Sequence, residues 1–149
     1  MTQVFLDTNV PLYAAGGDHP LKAPCSEALR LVLQYPASFV TSAEVLQEML
    51  HRYLARRAWP AGAPVVRAFA DLMEGRVADV TVADVRAAAR MADAAPTTTL
   101  SSRDLLHLAV MRRLGVGYIL SADRGFGQVT DVTRLDPLDL GTLQAVTAT

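Results

Sequence analysis

The 149-residue sequence has one cysteine, Cys25, and one lysine, Lys22. A lone cysteine excludes an intramolecular disulfide and a thiolate metal cluster, and it fits a reducing compartment. The three histidines, His19, His51 and His107, have no partners at zinc-ligand spacing. No stretch approaches the ~20 apolar residues of a membrane span. Asp7 interrupts the apolar N-terminus too early for a secretory leader. The expected location is therefore the cytoplasm, with no membrane partner. Excess charge is missing as well: 14 basic side chains against 15 acidic ones leave a net charge of −1. No general positive field advertises nucleic acid, so any such contact must be a local patch. Gly115-Val116-Gly117 lacks the third glycine and the following helix of a dinucleotide fingerprint.

What is present is an ordinary globular mixture, 51% apolar and 19% charged, long enough for one domain with a full core over 1–149. Gln3 to Leu6 is a short apolar run of β-prone residues that ends in Asp7, which predicts a buried strand delivering a carboxylate to its C-terminal end. A short helix is expected over 10–14 and a loop over 16–20, with His19 as a surface residue. A buried helix is expected over 22–34, a second strand over 38–40, and a helix over 41–57 with residues 45, 46, 49, 50 and 53 on its apolar face. Trp59-Pro60-Ala61-Gly62-Ala63-Pro64 reads as a break. Beyond it, 65–73 reads as helix and 77–82 as a short extended piece. Residues 83–94 form a helix with Val85, Ala88, Ala89 and Ala92 as its stripe. A helix over 101–114 ended by Gly115, a strand over 116–121, a strand over 131–135 and a terminal helix or loose tail over 137–146 complete the chain. Strands separated by helices imply βαβ crossovers, and so an α/β fold with a central, mostly parallel sheet between helical layers.

Four acids stand where strands end or helices begin. Asp7 follows the first strand, Glu48 lies in the second turn of the helix after the second strand, Asp104 opens a helix, and Asp123 follows the 116–121 strand. In a parallel sheet these points share one edge, where ligands bind. Each acid also has a local reading. Asp7 can be an N-cap, and Ser101-x-x-Asp104 resembles a capping box. Asp123 can be a turn residue, and Glu48 can face solvent. Together, clustered carboxylates raise one another's pKa, and a bound cation relieves the conflict. Oxygen ligands alone suit Mg²⁺ or Mn²⁺. Thr41-x-x-Glu44 also resembles a capping box, which assigns Glu44 to the helix start and leaves Glu48 for the crevice. His107, one helical turn after Asp104, reads first as a helix-packing residue with its partners satisfied and second as a residue touching the site. Arg52, Arg56 and Arg57 read first as a solvated helix face and second as contacts for RNA phosphate. A haloacid-dehalogenase-type phosphotransferase would need an acid where Asn9 stands.

Phe5-Leu6-Asp7-Thr8-Asn9, Thr41-Ser42 with Glu48, Ser101-x-x-Asp104-x-x-His107-x-Ala109 and Ile119-Leu120-Ser121-Ala122-Asp123-Arg124-Gly125-Phe126, in this order, resemble the PIN-domain family. The similarity is greatest to the VapC-type toxins of bacterial toxin–antitoxin pairs. The resemblance implies a three-layer α/β/α sandwich and a Mg²⁺- or Mn²⁺-dependent endoribonuclease. It implies Asp7, Glu48, Asp104 and Asp123 as metal-binding acids, with Asn9 and Ser121 supporting them by hydrogen bonds. It further implies an RNA substrate, a homodimer and a small antitoxin covering an apolar groove, which the 65–73 helix is apolar enough to help line through Val65, Val66, Phe69, Leu72 and Met73. Gly125 stands where some relatives carry a further acid, which leaves the number of metals open. A non-catalytic PIN-like module that binds RNA or protein is the alternative, although such modules usually lose acids that this chain retains.

Overall fold

The computed structural model describes residues 2–148. Among them, five strands form one parallel sheet in the order β3-β2-β1-β4-β5. The strands are β1 (Val4–Leu6), β2 (Phe39–Ser42), β3 (Val77–Ala78), β4 (Tyr118–Leu120) and β5 (Thr133–Leu135). The helices are α1 (Asn9–Ala15), α2 (Lys22–Gln34), α3 (Ala43–Ala55), α4 (Trp59–Leu72), α5 (Val82–Ala94), α6 (Ser102–Leu114) and α7 (Leu140–Thr147). α1 packs on α2 and α4, α2 on α7, and α5 on α6, so helices sandwich the sheet. β1 is central and covered on both sides, which is why its three residues are apolar without alternation and wholly buried. The β1–β4 ladder extends to the backbone of Asp7, whose N–H donates to the Leu120 carbonyl at 3.1 Å.

Four expectations need correction. The 59–64 segment is not a break but the start of α4. Pro60 stands in the first turn, where a missing N–H costs nothing, and Pro64 is carried inside the helix. Gly62 is there because the helix crosses the Tyr53 ring: a Cβ at 62 would lie 2.1 Å from Tyr53 Cγ. α3 begins at Ala43 because Thr41 and Ser42 belong to β2. The Thr41–Glu44 capping box is absent, and the Thr41 hydroxyl instead donates to the Leu6 carbonyl at 3.0 Å. The stripe of α5 is displaced: Ala88 is buried, but Val85, Ala89 and Ala92 are exposed, and Asp84 turns inward. That inward carboxylate is held by Arg113 of α6 through two bonds, at 2.9 and 3.0 Å. Of the two readings of the terminal segment, helix and loose tail, the helix is the one formed, as α7, with Leu143 in the core.

Candidate active site

Asp7 lies just past β1 and is 5% exposed. Its oxygens are not spent capping α1. Oδ1 accepts from the Thr8 N–H at 2.8 Å. Oδ2 accepts from the Ser121 hydroxyl at 2.6 Å and from Asn9 Nδ2 at 3.1 Å. Asn9 also donates to Ser121 Oγ at 3.1 Å, and its own oxygen accepts from the Ala122 N–H at 3.1 Å. Ser121 Oγ accepts from the Asp123 N–H at 3.0 Å. A side chain on the first turn of α1 and one at the end of β4 thus hold Asp7 and tie the Asp123 loop to it. Burial pushes the Asp7 carboxyl above the ordinary carboxylate range, against the opposing pull of His107, Ser121 and Thr8.

Glu48 is 8% exposed, because the buried face of α3 runs through 45, 48 and 49 rather than reaching Leu50, which is 37% exposed. Asp104 is half-buried at the start of α6. It completes a real capping box: Ser101 Oγ accepts from the Asp104 N–H at 3.2 Å, and Asp104 Oδ2 accepts from the Ser101 N–H at 3.0 Å. The cap does not exclude the site, since Asp104 feels the charges of both His107 and Asp123. Burial raises its pKa, and the Asp123 charge adds to the rise. Asp123 is exposed at the rim, where Oδ1 accepts from the Gly125 N–H at 2.8 Å.

The unexpected member is His107, which is fully buried. Neither ring nitrogen has a hydrogen-bond partner among the described residues, so it is not the satisfied packing residue that the sequence suggests. Nε2 lies 3.5 Å from Asp7 Oδ1 and 4.0 Å from Glu48 Oε2. Burial pulls the imidazole pKa down, but Glu48 and Asp7 outweigh that and raise it. Burial likewise works to raise the Glu48 pKa, and His107 and Arg52 reverse it to a lowered value. The spacing carried a signal: His107 follows Asp104 by three residues and so shares its helix face.

Donor atoms of Asp7, Glu48 and His107 lie within 4.8 Å of one another. The hydroxyls of Thr8 and Ser42, at the ends of β1 and β2, are also buried without partners. Hard oxygen donors, crowded carboxylates and orphaned polar atoms at one sheet edge fit a divalent cation.

The PIN-domain family profile matches residues 4–132. The chain belongs to the PIN-domain family. Ribonuclease VapC13 of Mycobacterium tuberculosis is 36% identical over 133 residues, covering 89% of this chain and 98% of the relative. Ribonuclease VapC23 of the same species is 38% identical over 123 residues, covering 80% and 92%. The PIN fold recurs in the DNA-bound VapBC complex of Salmonella typhimurium, with a TM-score of 0.71 at 16% identity over 92% of this chain and 99% of that one. It recurs in M. tuberculosis VapC20, a sarcin–ricin loop cleaving toxin, with a TM-score of 0.67 at 20% identity over 87% and 98%.

Proposed function

We propose that this PIN-domain chain is a metal-dependent endoribonuclease and the toxin of a toxin–antitoxin pair, with 1–149 acting as a single nuclease domain in the cytoplasm. The observation that carries this is the edge itself: two buried carboxylates and a buried, unpartnered imidazole, with two further acids at the rim. Relatives named as VapC ribonucleases, similar over most of their length, support the reaction class.

Asp7, Glu48, Asp104 and Asp123 would hold Mg²⁺ or Mn²⁺. The ion would supply neutralisation of the scissile phosphate and a lowered pKa for the attacking water. Asn9 and Ser121 fix the Asp7 carboxylate by hydrogen bonds, so that it keeps one orientation. His107 faces Asp7 and Glu48 across 3.5 and 4.0 Å and, when protonated, offsets their charge inside the fold. No side-chain nucleophile is required, and the products would carry 5′-phosphate and 3′-hydroxyl ends.

An apolar groove of about 440 Å³ between α1, α2 and α4, lined by Pro11, Ala14, Leu29, Val65 and Phe69, supports an antitoxin segment as partner. Val66 and Met73 do not line it, and Met73 is buried in the core. A homodimer belongs to the same reading. The purified protein is expected to cleave RNA with Mg²⁺ or Mn²⁺ and to stop with a chelator. Asp104→Ala is expected to abolish cleavage. RNA left intact by the folded wild type in both ions would reject the proposal.

A further inference from the structure

A second cavity, about 600 Å³, opens beside the acidic edge. Asn9 and Asp123 of the acidic edge line it, together with Arg52 and Tyr53 of α3, Arg56 just past that helix, and Tyr13 and His19. The volume is that of an ordinary small-ligand site. Its chemistry differs from that of the apolar groove: guanidiniums and aromatic rings share its lining.

The rings are held in place before anything binds. Tyr13 and His19 stack with centroids 4.6 Å apart and planes at 33°. His19 is oriented by its own loop, because Nδ1 accepts from the Leu21 N–H at 3.1 Å. Lys22, the sole lysine, donates to the Gly16 carbonyl and so anchors the start of that loop. Across the cavity, Tyr53 is backed by Gly62 of α4, which leaves no room behind the ring for a Cβ. Tyr13 lies four residues, or about 6 Å of helix rise, beyond Asn9. Asn9, which holds Asp7, and the ring pair line the same cavity, so a strand held at Asp7 can continue beside the rings. Arg52 spans the junction: its guanidinium lies 3.6 Å from Glu48 Oε1 and also lines the cavity. Arg56, four residues on, stands just past the C-terminal end of α3 and lines the same cavity.

Resting on the nuclease reading above, we infer that this cavity is a subsite for single-stranded RNA. An unpaired base next to the cleaved bond stacks on the Tyr13–His19 pair, and Arg52 and Arg56 take the adjoining phosphates. Aromatic platforms beside basic side chains are how proteins hold unpaired nucleotides, whereas a duplex keeps its bases stacked on one another. The acids Asp18 and Asp123 offset the two arginines in formal charge. Attachment therefore depends on stacking and local contacts rather than on a general field.

The test is binding without cleavage. A short fluorescein-labelled single-stranded RNA of mixed sequence is titrated in chelator with wild type, Tyr13→Leu, Tyr13→Phe, His19→Ala and Arg56→Gln. Arg90→Gln, exposed on α5, is the control. The single strand should bind more tightly than its duplex. Tyr13→Leu and His19→Ala should each weaken binding by roughly tenfold, while Tyr13→Phe and Arg90→Gln retain it. Arg56→Gln should lower the slope of log affinity against log salt by about 0.7, the share of one phosphate contact in a single strand. Thermal melts of all variants confirm the fold. Wild-type affinity in Tyr13→Leu, His19→Ala and Arg56→Gln, or equal affinity for duplex, overturns the subsite and leaves the cavity to a protein segment. If metal-dependent cleavage persists in that case, the nuclease reading stands without it.

Discussion

Ser121 is the residue on which most of the edge converges, because its hydroxyl donates to Asp7 while accepting from Asn9 and from the Asp123 backbone. Ser121→Ala removes a charge-assisted bond to a buried carboxylate and is expected to cost about 1.5–3 kcal/mol in a denaturation experiment. It also removes a contact that lowers the Asp7 pKa, so the acid limb of the cleavage profile should move to higher pH. The two glutamates of α3 separate cleanly. Glu48→Gln is expected to abolish metal-dependent cleavage. Glu44→Gln is expected to keep it, because Glu44 reaches only Arg103, at 3.8 Å. With no capping box to lose, Glu44→Ala removes a first-turn helix-dipole contact and should lower stability by about 0.3–1 kcal/mol. Cleavage assays beside melts of the three variants check this. At this scale the acids were legible because each adjoins a strand end or helix start. His107 was legible only by its spacing from Asp104, because its partners lie elsewhere, Asp7 just past β1 and Glu48 on α3.

The elements were legible where one face is apolar and failed where a polar group is buried. Asp84 is the clear case. Its stripe reads through Val85, yet the inward side chain is the carboxylate, since Arg113 supplies a partner that no period reveals. The Arg113 hydrogen bonds, against some desolvation, hold the Asp84 pKa below its ordinary value. A carboxylate lowered in the folded state adds stability that is complete above its unfolded pKa, 3.8, and lost as pH falls through the lower folded value. Asp84→Asn should therefore destabilise near neutrality by about 1 kcal/mol, the net worth of a hydrogen-bonded ion pair discounted for the exposure of Arg113. The gap to wild type should narrow below about pH 4, as read from urea melts across pH. The reverse trend would show that the α5–α6 tie is not ionic. α4 was misread for a related reason: Gly62 and the prolines have turn composition, and only the crossing over Tyr53 explains the glycine.

At the level of the whole molecule, the alternation of strands and helices sufficed for the parallel sheet, and the sheet suffices to gather four acids distant in sequence. What the sequence could not convey is depth. Asp7 and Glu48 are buried with His107, whereas Asp123 sits at the rim. That gradient makes the metal-free edge electrostatically frustrated, with Asp7 and Asp104 both raised by burial. The most direct measurement is Mn²⁺ binding by calorimetry, paired with RNA cleavage and a thermal melt, on wild type and Asp7→Asn. The expected result is binding and cleavage by the wild type, neither by Asp7→Asn, and a metal-free melting temperature for Asp7→Asn no lower than that of the wild type. A folded Asp7→Asn that binds Mn²⁺ and cleaves RNA as the wild type does would contradict the account.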